Sequence, residues 1–122
     1  MSRNFAMLLG VVLLVVGIWG WATGGHAHNL MCFGVNMNHN LVHLLSGALA
    51  LGCALGSGRY ARLYLMVFGT VYGLVAVLGF LSVGTVVEML NLNMADNLLH
   101  IAIAAACLWV GSQDKGGAAA AA

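Results

Sequence analysis

Four long apolar runs divide the chain, at about residues 5–22, 40–56, 60–83 and 95–111, and short polar stretches separate them. Within the runs the apolar residues follow one another without period-2 alternation, so they do not describe the strands of a membrane barrel. A helix crosses the hydrocarbon core with about 20 apolar residues, in a range of about 17–25. All four runs fit that length, and a helix satisfies every backbone polar group in lipid. The pattern predicts an all-α bundle of four transmembrane helices.

A finer polar pattern repeats inside this coarse one. The phrase Asn36-Met37-Asn38-His39-Asn40-Leu41-Val42-His43 returns 57 positions later as Asn93-Met94-Ala95-Asp96-Asn97-Leu98-Leu99-His100, with five of eight residues identical. Each copy stands where a polar loop passes into an apolar run. At helical spacing Asn36, Asn40 and His43 share one face, as do Asn93, Asn97 and His100. The first and third runs repeat as well, offset by 59: Gly10/Gly69, Val12/Val71, Val16/Val75 and Gly20/Gly79, led in by Arg3/Arg62. The expectation is a bundle with an internal pseudo-two-fold, two helix pairs in the same orientation (a 2+2 parallel duplication).

Composition removes the soluble alternative. Of 122 residues 62% are hydrophobic and only 6% charged, with a mean hydropathy of +1.00, whereas a soluble domain carries about 25% charged residues. There is no proline to kink a helix. Cys53 and Cys107 lie inside apolar runs and read as small hydrophobes, and three cysteines give no disulfide framework. Residues 1–114 read as one integral membrane domain, and 115–122 as a low-complexity Gly/Ala tail.

The few charges set an orientation. Arg3, Arg59, Arg62 and Lys115 are all the Lys and Arg in the chain, and with four spans they fall on one side. The positive-inside rule makes that side cytoplasmic, with both termini inside and both Asn/His phrases starting outside. The first run reads as a retained helix: Trp19-Gly20-Trp21-Ala22 resembles an aromatic belt, with no small-x-small cleavage site. The expected location is a bacterial inner membrane, crossed several times.

Beyond the histidines each polar face continues in small residues, Gly47, Ala50 and Ala54 on the second helix and Ala104, Cys107 and Gly111 on the fourth. Helices in lipid associate through close approach and interhelical hydrogen bonds, so these positions, with the Gly69/Gly73 and Gly52/Gly56 pairs, are candidate packing surfaces. Asn93 and Asp96 have the spacing of a capping box. The structural reading of the stripe is that Asn and His finish the helix ends and lock the halves together. The functional reading is ligation: two histidines at equal depth suit bis-His haem b, or one suits the magnesium of a (bacterio)chlorophyll. The spacing leaves both open, and no cofactor is assigned. No metal site is assigned either. His26, His28 and Cys32 in the outer loop, with His39, are the candidates, but zinc sites normally show paired ligands at tighter spacing.

No convergent carboxylates, H-E-x-x-H, nucleophile elbow or phosphate loop is present, so the chain does not read as an enzyme. It has no basic patch for nucleic acid. The ordered motifs Ala61-Arg62-Leu63-Tyr64-Leu65, Val67-Phe68-Gly69, Val71-Tyr72-Gly73, Leu78-Gly79-Phe80 and Asn93–His100, with Asn40-Leu41-Val42-His43-Leu44-Leu45-Ser46-Gly47 before them, resemble the small membrane proteins catalogued as domain of unknown function 4383. The resemblance runs from about Phe5 to Gly111. It implies a four-helix bacterial membrane protein and brings no catalytic residues with it. The expected role is an accessory subunit packed in lipid against a larger membrane complex, photosynthetic (reaction centre or antenna) or respiratory. The alternatives are a haem- or chlorophyll-binding protein using His43 and His100, and a small channel or carrier.

Overall fold

The structure is a computed structural model that describes residues 1–114; the Gly/Ala tail from Lys115 lies outside the described residues. Four long helices carry the architecture: α1 (Ser2–Ala22), α2 (Met37–Gly56), α3 (Gly58–Phe80) and α5 (Met94–Gln113). Each is long and apolar enough to cross a membrane. Between them lie a small antiparallel hairpin, β1 (His28–Leu30) and β2 (Phe33–Val35), and a short helix α4 (Gly84–Leu90). The hairpin, α4 and the N-termini of α2 and α5 gather at one end, called here the histidine end. The start of α1, the α2–α3 link and the end of α5 gather at the other, the arginine end. The chain is thus an all-α, multi-pass membrane protein.

Side-chain capping explains where the helices begin. Asn36 accepts a hydrogen bond from the His39 amide at 2.9 Å, so α2 starts three residues before its apolar run. Asn93 accepts from the Asp96 amide at 3.0 Å while the Asp96 carboxylate accepts from the Asn93 amide at 2.9 Å, completing the predicted capping box. Ser57 alone separates α2 from α3 and caps the latter through Tyr60 N–H. The third helix ends at Phe80 rather than at 83, because Ser82 takes a left-handed conformation (φ 54°) that stops the helix. The polar loop expected after α1 holds strands, pinned from below. Asn91, left-handed at the end of α4, donates through Nδ2 to the Val35 carbonyl at 2.9 Å and the His28 carbonyl at 3.3 Å.

Packing follows the small residues, within two helix pairs, α1 with α2 and α3 with α5. A Cβ placed on Gly10 would lie 2.9 Å from the Gly47 carbonyl, and one on Gly47 2.8 Å from the Gly10 carbonyl. Gly69 sits equally close to Cys107 and the Ala104 carbonyl. Ala50, Ala104 and Cys107 are buried, as their candidate packing role requires. Gly73 only reaches ordinary contact with Ala104, and Gly52 faces open space, so the Gly52/Gly56 pair is not a packing surface here.

Contacts recur at the offsets seen in the sequence. Arg3 Nε donates to the Ala54 carbonyl at 3.0 Å, and Arg62 Nε to the Gly111 carbonyl at 2.9 Å, each satisfying the last turn of its partner helix. Asn36 Nδ2 donates to the Met89 carbonyl at 3.0 Å, and Asn93 Nδ2 to the Cys32 carbonyl at 2.9 Å, so each cap reaches into the loop of the other pair. At the arginine end the Asp114 carboxylate accepts from the Ser2 amide at 2.8 Å and the Met1 amino group at 3.2 Å, joining α5 to the start of α1.

Candidate functional site

The caps fix which residues point inward at the histidine end. Counting from Asn36, His39 is the third residue of α2 and His43 the seventh; counting from Asn93, Asp96 and His100 hold the same places on α5. His43 and His100 therefore face each other from matched positions. The two helices differ at the third position. Asp96 turns back to its own helix end and to the hairpin, accepting from the Gly34 amide at 2.9 Å. His39, in the equivalent place, turns into the space beside His43 and His100.

The result is a cluster of three imidazoles. Each offers a ring nitrogen, and these atoms all lie within 4.8 Å of one another. The His39 ring centroid is 4.5 Å from that of His43 and 5.6 Å from that of His100. All three side chains are more than nine-tenths buried, with residual exposures of 2%, 7% and 3% for His39, His43 and His100. In each ring Nδ1 is buried and has no hydrogen-bond partner in the protein. An unpaired polar atom in an apolar interior costs about 1–3 kcal/mol, so three in one place mark a site that the chain leaves unfinished.

Each helix pair also buries an amide of its own, and the cluster is flanked by apolar walls. Asn40 lies against Gly20 and Asn97 against Gly79, where any Cβ would collide with the amide. Both amides are buried, and both side-chain polar atoms of Asn40 and Oδ1 of Asn97 lack partners. A cavity of about 120 Å³ reaches His43, His100 and Asp96, walled by Val16, Trp19 and Phe33. Tyr72 closes the opposite side, its ring edge-on to His100 at 4.9 Å.

The predicted stripe therefore divides into three. Asn36 and Asn93 are helix caps, Asn40 and Asn97 pack inside their own helix pairs, and only His43 and His100 meet across the pairs. The small-residue ridges pack within each half: Gly47 against α1, and Ala104 and Cys107 against α3. The close α1–α2 approach needs the glycines, whereas the bulkier imidazoles stand where the pairs meet.

The outer-loop candidates stay apart from this site. His28 is held by its own loop, with Nε2 2.9 Å from Thr23 Oγ1 and Nδ1 2.8 Å from the His26 carbonyl. Cys32 is an exposed free thiol at the hairpin turn. Among the described residues the one group of three or more metal-capable side chains is His39, His43 and His100. His39 was readable as a loop histidine from its polar neighbours. Its spacing to His43, i to i+4 on a helix, is the signal that puts the two on one face instead.

Three imidazoles with no thiolate or carboxylate among them suit a borderline transition-metal ion such as zinc or copper. Nitrogens on a tetrahedral ion with bonds of about 2.0–2.1 Å stand roughly 3.4 Å apart. Closing from 4.8 Å asks each ring to move by less than about 1 Å, within reach of small χ changes. No curated protein and no solved structure matches the chain. A family model described as "Domain of unknown function (DUF4383)" matches residues 3–112, nearly the whole length. Together with four spans and the repeated Asn/His helix starts, that match means the chain belongs to the DUF4383 family.

Proposed function

We propose that this membrane protein holds a transition-metal ion between its two helix pairs, with His39, His43 and His100 as ligands. The observation that carries the proposal is the convergence of three buried ring nitrogens within 4.8 Å, each histidine keeping an unpartnered Nδ1. The small cavity shared by His43, His100 and Asp96 has room for a water that could complete such an ion's ligand set, and the nearby carboxylate would offset part of its charge. The third imidazole favours a bare ion over a tetrapyrrole, because His39 occupies the space beside the pair that a macrocycle would need.

The recurring contacts at offsets of 57 and 59 support reading the two helix pairs as copies of one hairpin, with the site where the copies meet. The arginines at one end support a cytoplasmic placement of that end, and so a site in the leaflet away from the cytoplasm. The exposed leucines and valines of α1 and α3 are what lipid alone requires, so they add no separate support for a protein partner.

The test is metal content and a cobalt spectrum. Protein stripped with chelator is titrated with Co²⁺, and one equivalent is expected to produce the visible d–d bands of a four-coordinate site. His43→Ala and His100→Ala are expected to abolish them, and His26→Ala to leave them unchanged. No bands in the wild type, or bands that survive both substitutions, would end the proposal. A Soret or chlorin band in protein from its native membrane, lost in the same variants, would place a tetrapyrrole there instead.

A further inference from the structure

A second cavity, larger than the first, opens sideways between α2 and α3. It encloses about 350 Å³, within the usual range of about 300–1,000 Å³ for small-molecule sites. One wall is a continuous stripe of α2, Val42, Ser46, Leu49 and Cys53 at alternating spacings of three and four. The other is α3, where Tyr64, Phe68 and Tyr72 at i, i+4 and i+8 stack ring on ring, with centroids 4.9 and 4.1 Å apart. Two stripes of this kind would ordinarily interlock. Here α2 packs mainly on α1 and α3 mainly on α5, so their facing stripes are left with a slot between them.

The slot is apolar along most of its length. At the arginine end Tyr64 is satisfied, its hydroxyl donating to the Ser46 carbonyl at 2.9 Å. At the histidine end Tyr72 is 5% exposed and its hydroxyl has no partner. The imidazoles of His39 and His100 line the same end, and Leu90 of α4 closes it. Tyr72 stands eight residues before the end of α3, about 12 Å below that end by helical rise. The slot's open side faces lipid, because Val42, Leu49, Val67 and Val71 along it are exposed.

We propose that this slot binds a ring-headed, apolar-tailed molecule of the quinone class. An acyl chain would fill the apolar length but leave the Tyr72 hydroxyl unpaired. A ring carbonyl accepts that hydroxyl's hydrogen bond, and a flat ring fits the apolar gap between the α2 stripe and the stacked rings of α3. The proposal goes beyond the metal site and does not depend on it, since it is carried by the slot and by Tyr72.

The experiment uses the chelator-stripped full chain in nanodiscs, so that success or failure at the metal site has no bearing on it. Decylubiquinone is titrated by calorimetry, with decanol as the tail without the ring. Saturable one-to-one binding of decylubiquinone is expected, with decanol much weaker. Tyr72→Phe removes one hydrogen bond and is expected to weaken binding about tenfold, without loss of thermal stability, since the hydroxyl it deletes is unpartnered. Val67→Trp fills the slot from an exposed position and is expected to block binding, while Val12→Trp on the outer face of α1 leaves it intact. Equal affinity for decanol would make the slot a lipid-chain site and overturn the proposal. Unchanged affinity in Tyr72→Phe, or no saturable binding in the wild type, would do the same.

Discussion

Two glycines five residues apart on α2 should respond to the same substitution with opposite signs. Gly47 touches α1 backbone to backbone: an added Cβ would lie 2.8 Å from the Gly10 carbonyl oxygen and 2.9 Å from both Leu14 N and Leu14 Cγ. Two of these neighbours are main-chain atoms that cannot rotate away, so the helices must separate. Forcing extra volume into a packed interface costs about 1–3 kcal/mol, against a gain of up to about 1 kcal/mol from replacing glycine in a helix. Gly47→Ala is therefore expected to destabilise by roughly 1–2 kcal/mol. Gly52 has nothing within 4 Å of its would-be Cβ. Gly52→Ala collects only the helix gain and should stabilise by about 0.5–1 kcal/mol. The two variants should differ by roughly 1.5–3 kcal/mol. Reversible unfolding in mixed dodecylmaltoside–SDS micelles, followed by tryptophan fluorescence, measures that difference. Equal losses in both variants, or a Gly47→Ala protein as stable as the wild type, would refute the packing argument.

Asn93→Ala removes a helix cap together with a hydrogen bond to the Cys32 carbonyl, and should cost about 1–2 kcal/mol in the same assay. Amide exchange in the β1–β2 hairpin should rise with it, because the lost bond ties that hairpin to α5. The Asp114 carboxyl is held below the ordinary aspartate range, first by the hydrogen bond from the Ser2 amide and then by the Met1 amino group. A depressed folded-state pKa means this tie stabilises fully above about pH 4 and is lost as pH falls through the folded value. Asp114→Asn should thus be slightly less stable than wild type at pH 7, by no more than about 0.3–1 kcal/mol at so exposed a site. The two proteins should converge in acid, and a gap that persists or widens below pH 3 would contradict the assignment.

Much of this molecule was legible along the chain because the bilayer leaves few choices. Runs of the right length with no charge must be helices that cross, and asparagine at the head of each polar phrase must serve the orphan amides there. Those constraints are local, so periodicity and spacing carried the span count, the capping box, and the inward aim of His43 and His100. The β-hairpin was hidden: strands of three residues are too short to show alternation, and it stands on bonds from Asn91 and Asp96, more than fifty residues away. The tertiary structure alone decided who meets whom. Gly47 and Ala104 look equally suited to join the halves or to close each half, and they do the latter because Gly10 and Gly69 stand opposite them. His39 and Asp96 occupy equal places in equal helices, yet one faces the protein's centre and the other its own helix end. The Asp96 carboxylate accepts from two amides, Asn93 and Gly34, and is satisfied, whereas Nδ1 of His39 finds no partner and the ring turns inward. That difference converts a matched pair of histidines into a three-nitrogen site.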